Sequence, residues 1–206
     1  MCEYSGSNSY KQLSKLAEPE MFGEIVGTGY NSIIIEPSSE YWQFNVDLNS
    51  VLIFSMEKEK QEFLKKMFGN KVKCINYRKL PNKNARYYLR SVKDTFSVFF
   101  MEKLREVNYD KNNYDSFGLM QIINNKLNEP YHKSDIFWLI EEIKIIAKEN
   151  KHRKGVKDFI KAIIQSLKAL EKTTIDSLFR LDFHKNQFMI DKNNKIVCID
   201  PVWFNY

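Results

Sequence analysis

Three observations predict an α+β fold. Strand-like apolar runs broken by glycine and proline turns fill the chain as far as Met101, helical periodicity takes over after it, and two short apolar runs around an Asn-rich turn lie at the end. The 206 residues suffice for one domain or two small lobes with a real core. With 43% hydrophobic and 28% charged residues the composition is globular, which excludes wholesale disorder. The net charge of +6 is modest and spread along the chain. It is compatible with phosphates or an acidic partner, and first of all with a solvated lysine-rich surface.

Cys2, Cys74 and Cys198 lie far apart and form no C-x-x-C pair, so neither a disulfide framework nor a zinc site is expected and a reducing cytosol fits. His132, His152 and His184 form no ligand pair at helical spacing. Residues 1–20 hold no apolar signal region, and no apolar run approaches the roughly 18 residues of a membrane span, so a membrane partner is not expected.

Residues 1–20 read as a polar, Ser-rich arm with a short helix over 10–17. Phe22 to Val26 is a strand pattern leading into Gly27-x-Gly29-x-x-Ser32, and a second strand pattern runs to Pro37. Glycine in such a hairpin either makes an ordinary turn or lets backbone approach a ligand that a side chain would hold off. Glu40 to Val46 is the next expected strand. Met56 to Phe68 is a helix with Met56, Lys60, Phe63, Leu64 and Met67 on one face and Gly69-Asn70 as its stop. Val72 to Leu80 and Tyr87 to Val92 are expected as strands around a Pro-Asn-Lys-Asn turn, and Phe96 to Met101 as a very apolar strand.

Tyr114 to Leu127 reads as a helix. A second is capped by Ser134, with Ile136, Leu139, Ile140, Ile143 and Ala147 on its buried side. After the basic turn Lys151 to Gly155 comes the clearest periodicity of the chain. Val156, Phe159, Ile160, Ile163, Ile164, Leu167 and Leu170 mark an amphipathic helix whose other face carries Lys157, Lys161, Lys168 and Lys172. Such a helix is either a core element or a membrane- or partner-binding one.

The last quarter carries the chemistry. Arg180 to Asp191 and Ile196 to Pro201 flank Lys192-Asn193-Asn194-Lys195, the pattern of a β-hairpin. Asp182 stands before it and Asp200 at its far end. Antiparallel strands bring those ends to one side, where two carboxylates can bind Mg²⁺ or move protons. The same letters also fit a surface hairpin with acidic ends.

The spacing resembles that of protein kinases, in which a catalytic Asp is followed five residues on by Asn and thirteen further by a metal-binding Asp. Here Gln187 follows Asp182 by five, and Asp200 follows Gln187 by thirteen. The run from Asp182 through His184 and Met189 to Asp200-Pro201 is similar to the small kinase-like proteins of tailed bacteriophages, among them their early-gene host-modifying kinases. The resemblance extends over residues 22–202: glycine hairpin, helix with Glu59 at the edge of its apolar face, a hinge-like Met101-Glu102-Lys103-Leu104, a core helix, and the Asp–hairpin–Asp end. It implies a bilobal protein-kinase-like fold, with an antiparallel-sheet N-lobe over 21–104 and a reduced helical C-lobe over 105–206. With four residues after Val202, it further implies no activation segment.

By the same resemblance ATP and Mg²⁺ are the cofactors. Gly27, Gly29 and Ser32 would line the phosphates, while Glu102 and Leu104 would meet adenine through backbone groups. Asp182 would accept the proton of the attacking hydroxyl, with His184 bracing the loop and Lys185 as the nearest helper cation. Asp200, with Gln187, would hold the metal. Two residues depart from the family pattern. Gln43 stands where a strand lysine belongs, and Gln187, one methylene too long, stands for Asn. A misplacement of about 1 Å costs on the order of 10²-fold in rate. A lost charge-assisted phosphate contact of roughly 1.5–3 kcal/mol costs about one to two decades more.

Three functions follow. The first is a degenerate kinase, with weak or no phosphoryl transfer, that binds and inhibits or shields a host protein in the bacterial cytosol. The second is an active Ser/Thr protein kinase using Asp182 and an Asp200-bound Mg²⁺. The third, a basic nucleic-acid-binding protein, needs clustered arginines and exposed aromatics on one surface, whereas Trp42 and Trp138 read as core.

Overall fold

The computed structural model describes residues 21–28, 32–38, 50–76, 78, 80, 82–92, 94, 96–112 and 116–204. The chain divides into two compact units between Lys103 and Leu104. The fold is α+β, with a five-stranded antiparallel sheet in the first unit and most of the helix in the second.

In the first unit β1 (Gly23–Thr28) and β2 (Ser32–Pro37) form the glycine hairpin, and β3 (Ser50–Ser55) pairs with β2. Then come α1 (Lys58–Phe68), the two-residue β4 (Lys73–Cys74), α2 (Lys83–Val92) and β5 (Ser97–Glu102). The strand order β1-β2-β3-β5-β4 leaves β3 central. Its Leu52 and Phe54 join Phe22, Ile35, Leu89 and Phe100 in one buried cluster, and Val51 and Ile53 are buried on the opposite face. Apolar residues on both faces are what a central strand covered on both sides requires. Gly23 earns its place by close approach: a Cβ there would lie 2.0 Å from the Glu36 carbonyl oxygen.

Two expectations in this unit are corrected. Tyr87 to Val92 is not a strand but the second half of α2. The Asn82 side chain accepts from the backbone N–H groups of Asn84 (2.8 Å) and Ala85 (3.2 Å), a helix N-cap, and Ala85 and Leu89 are buried one turn apart. Among the described residues the Val72 to Leu80 strand shrinks to β4. Among the described residues the strand that pairs with β2 after the hairpin is Ser50–Ser55; the expected strand Glu40 to Val46, with Gln43 and Trp42, lies outside the described residues.

The second unit begins with β6 (Arg105–Glu106), α3 (Tyr109–Asn112) and α4 (Ser116–Lys126). A 3₁₀ turn over Lys133–Asp135 leads into α5 (Ile136–Glu149), and α6 is Val156–Glu171. Ser134 lies inside that turn rather than capping the helix; the Asp135 carboxylate accepts from the His132 N–H at 2.8 Å. On α5 Ile146 is fully buried, and Ala147 only partly so. Trp138 is 49% exposed and Phe137 73%, so Trp138 is not a core residue. The most periodic stretch does form the central helix: α6 packs on α5 and on β9 (Ile196–Cys198). Phe159 meets Phe188 edge-on with ring centroids 5.1 Å apart.

Candidate functional site

The acidic hairpin is built from four short strands. β7 (Phe179–Leu181) pairs antiparallel with β10 (Val202–Phe204), and β8 (Phe188–Ile190) pairs with β9. Between β7 and β8 lies the loop 182–187, whose end is a 3₁₀ turn over Lys185–Gln187. Two backbone hydrogen bonds close this loop against the segment after β9. The Asp182 N–H donates to the Pro201 carbonyl at 3.2 Å, and the Ile199 N–H donates to the Gln187 carbonyl at 2.9 Å. Asp200 stands between those two anchors. The backbone therefore brings Asp182 and Asp200 to the same end of the hairpin.

The far end is closed by Asp191. Its buried carboxylate accepts from the Asn193 and Lys195 N–H groups, both at 2.9 Å, and Asn194 takes a left-handed φ of 58°. An Asx-type turn of this kind needs a short acceptor side chain first and a residue tolerant of positive φ later. That local chemistry holds the register that places Asp200.

Each residue of the loop is held differently. Asp182 and His184 are about half exposed, with the His184 Nε2 4.0 Å from an Asp182 carboxylate oxygen. Gln187 is buried, and its side-chain oxygen accepts from the His184 N–H at 3.2 Å, so its amide braces the turn. The Lys185 side chain is exposed, while its carbonyl accepts from the Tyr109 hydroxyl at 2.7 Å. Burial lifts the Tyr109 phenol far above its usual range. Burial also pushes the Cys198 thiol up to about 12; the Asp200 charge adds to the rise, and hydrogen bonds from the Asp200 backbone and Ser166 oppose it. That thiol is inert at neutral pH and packs as a small apolar group.

Asn124 on α4 was not singled out by sequence reasoning. Its amide nitrogen donates to the Phe183 carbonyl at 2.8 Å, and its oxygen accepts from the Phe183 N–H at 3.0 Å. Both backbone groups between Asp182 and His184 are thus held by one side chain. The available signal was a carboxamide directly after Ile122-Ile123 in a helix, where Asn is a poor helix former unless it has a tertiary partner.

In the first unit, Gly27 sits in β1 beside Ile34 after a bulge, and Gly29 lies outside the described residues. The Ser32 hydroxyl is buried and lies 3.1 Å from that of Ser55, whose oxygen also accepts from the Glu57 N–H. It links β2, β3 and the start of α1. Glu102 ends β5 with its carboxylate 2.8 Å from the Lys71 ammonium, and Leu104 follows at the start of the second unit. Glu59 is half-buried in the first turn of α1.

Among the described residues no three His, Cys, Asp or Glu side chains form a metal-binding group. Two acids at one end of a hairpin do not make a protein-only cage, whereas Mg²⁺ can take one or two carboxylates together with phosphate oxygens and water. No described helix is long and apolar enough to cross a membrane. No protein-family model and no curated protein matches this chain.

Proposed function

We propose that the chain is a kinase-like protein of phage type that binds a Mg²⁺–nucleotide and acts on a host protein chiefly by contact, with phosphoryl transfer slow or absent. The observation that carries this reading is the pair of hydrogen bonds Asp182–Pro201 and Ile199–Gln187, which hold two acids at kinase-like spacing at one end of a hairpin. The order of elements supports it as well: glycine hairpin, strand, helix, apolar strand ending at Glu102, then helices and the acidic hairpin. In this reading the family's bilobal fold applies, with the first unit as the sheet lobe and the second as the helical lobe. Asp200 is the metal-holding carboxylate, Asp182 faces the reacting hydroxyl, and bound Mg²⁺ would neutralise phosphate charge.

Two features argue for slow chemistry. β3 contains no lysine to meet the phosphates. Gln187 spends its side-chain oxygen on the His184 N–H, inside the loop.

The test is thermal unfolding with and without Mg-ATP, run beside transfer of labelled phosphate. Native-state binding raises the melting temperature. The expected result is stabilisation that Asp200→Ala removes, with little transfer in the wild type. Absence of any nucleotide response would overturn the reading. Robust transfer that vanishes in Asp182→Ala would instead establish the active Ser/Thr kinase.

A further inference from the structure

We propose that the exposed face of α6 is a docking surface for an acidic helical segment of a protein partner. The inference goes beyond the nucleotide reading and does not depend on it. Lys157, Lys161, Lys168 and Lys172 are all exposed, and at 100° per residue they fall within about 60° of arc. They form one straight row spanning about 22 Å along the axis. Lys151 and Lys154, also exposed, extend the positive charge at its start.

These six side chains pair with no acid among the described residues. Elsewhere Lys71, Lys103, Lys126 and Lys144 each hold a carboxylate. Like charges one turn apart repel, so Lys157 opposes Lys161, and Lys157 also stands in the first turn of α6, where the helix dipole disfavours a cation. The six ammonium groups, exposed and without an ion-pair partner among the described residues, leave a row of charge open to an anion supplied from outside.

The shape of the row selects the partner. The opposite face of α6 is buried against α5 and β9, so the helix has no apolar side left to enter a membrane. The row is one side chain wide and bordered by Asp158 and Glu171, both exposed. A nucleic-acid duplex is far broader than one helix face and would bring phosphates over those acids, and the row itself has neither arginine nor aromatic side chains for bases. A helix bearing Glu at the same intervals matches the lysines turn for turn, and its own flanking cations would meet Asp158 and Glu171.

The probe is a labelled helical peptide of about 20 residues with Glu at i, i+4, i+11 and i+15, compared with a scrambled peptide of equal charge, a DNA duplex and vesicles containing anionic lipid. Anisotropy or co-sedimentation should show salt-sensitive binding of the matched peptide, tighter than any of the other three. Lys157→Glu/Lys168→Glu should weaken it about tenfold or more, from the loss and reversal of two surface pairs. In the free protein Lys157→Glu alone should raise the melting temperature, since it places an acid in the first turn and one turn ahead of Lys161. Lys161→Gln/Lys168→Gln repeats the binding comparison should the reversal disturb folding. Equal binding of matched and scrambled peptides, indifference to both double variants, no binding, or preference for duplex or vesicles would each overturn the proposal. A missing Mg-ATP response would leave it standing, because none of these readouts involves nucleotide.

Discussion

Asn124 holds both backbone groups of Phe183, and so fixes the chain between the half-exposed Asp182 and His184. Asn124→Leu leaves two part-buried backbone groups without that partner, which costs about 1–3 kcal/mol. Asn124→Asp keeps the acceptor but turns an anionic oxygen toward the Phe183 carbonyl, so urea unfolding should show both variants destabilised. Cys198 predicts a pH effect. Its thiol titrates near 9.0 when unfolded and at about 12 when folded, so the folded state favours the protonated form. The stability it contributes is complete below pH 9 and is lost as pH rises toward 12. Melting temperatures should fall above pH 9, and less steeply in Cys198→Ala. At this scale the approach of residues 182 and 200 to one end of the hairpin was legible because their spacing is internal to one short segment. Asn124 was not, because its partner is 59 residues away.

Among the elements, α5 and α6 were readable from apolar residues recurring at helical intervals, and the terminal hairpin from its Asn-rich turn. α2 was misread. Its Tyr87, Tyr88 and Val92 have strand propensity, yet burial of Ala85 and Leu89 and the Asn82 cap make the segment helical. Tertiary burial outweighs a propensity difference of a few tenths of a kcal/mol per residue. Asn82→Ala should therefore cost about 1 kcal/mol, seen as a lower melting temperature with helix loss confined to α2. β3 went unread for the opposite reason: Val51 to Phe54 is uniformly apolar, and a run buried on both faces has no alternation to reveal it.

For the whole molecule, each unit carries its own core, the first around β3 and the second around α6. The proposed metal-holding acid belongs to the second unit. Saturating Mg-ATP at about 100 times its Kd should stabilise the wild type by about 2.7 kcal/mol. Asp200→Ala should abolish that gain, and Asp182→Ala should keep most of it while removing any residual phosphate transfer. Calorimetry on both variants separates metal holding from proton acceptance.

By itself the sequence determined what is periodic or local: the helices α5 and α6, the glycine hairpin, and an acidic pair brought together by a turn. Those follow from side chains three or four residues apart on a helix, or facing across a two-strand turn, which the order of residues specifies directly. Only the tertiary structure decided that 83–92 is a helix, that Ser32 joins Ser55, and that Asn124 clamps Phe183. Each of these depends on a hydrogen-bond or packing partner that the fold alone brings within reach.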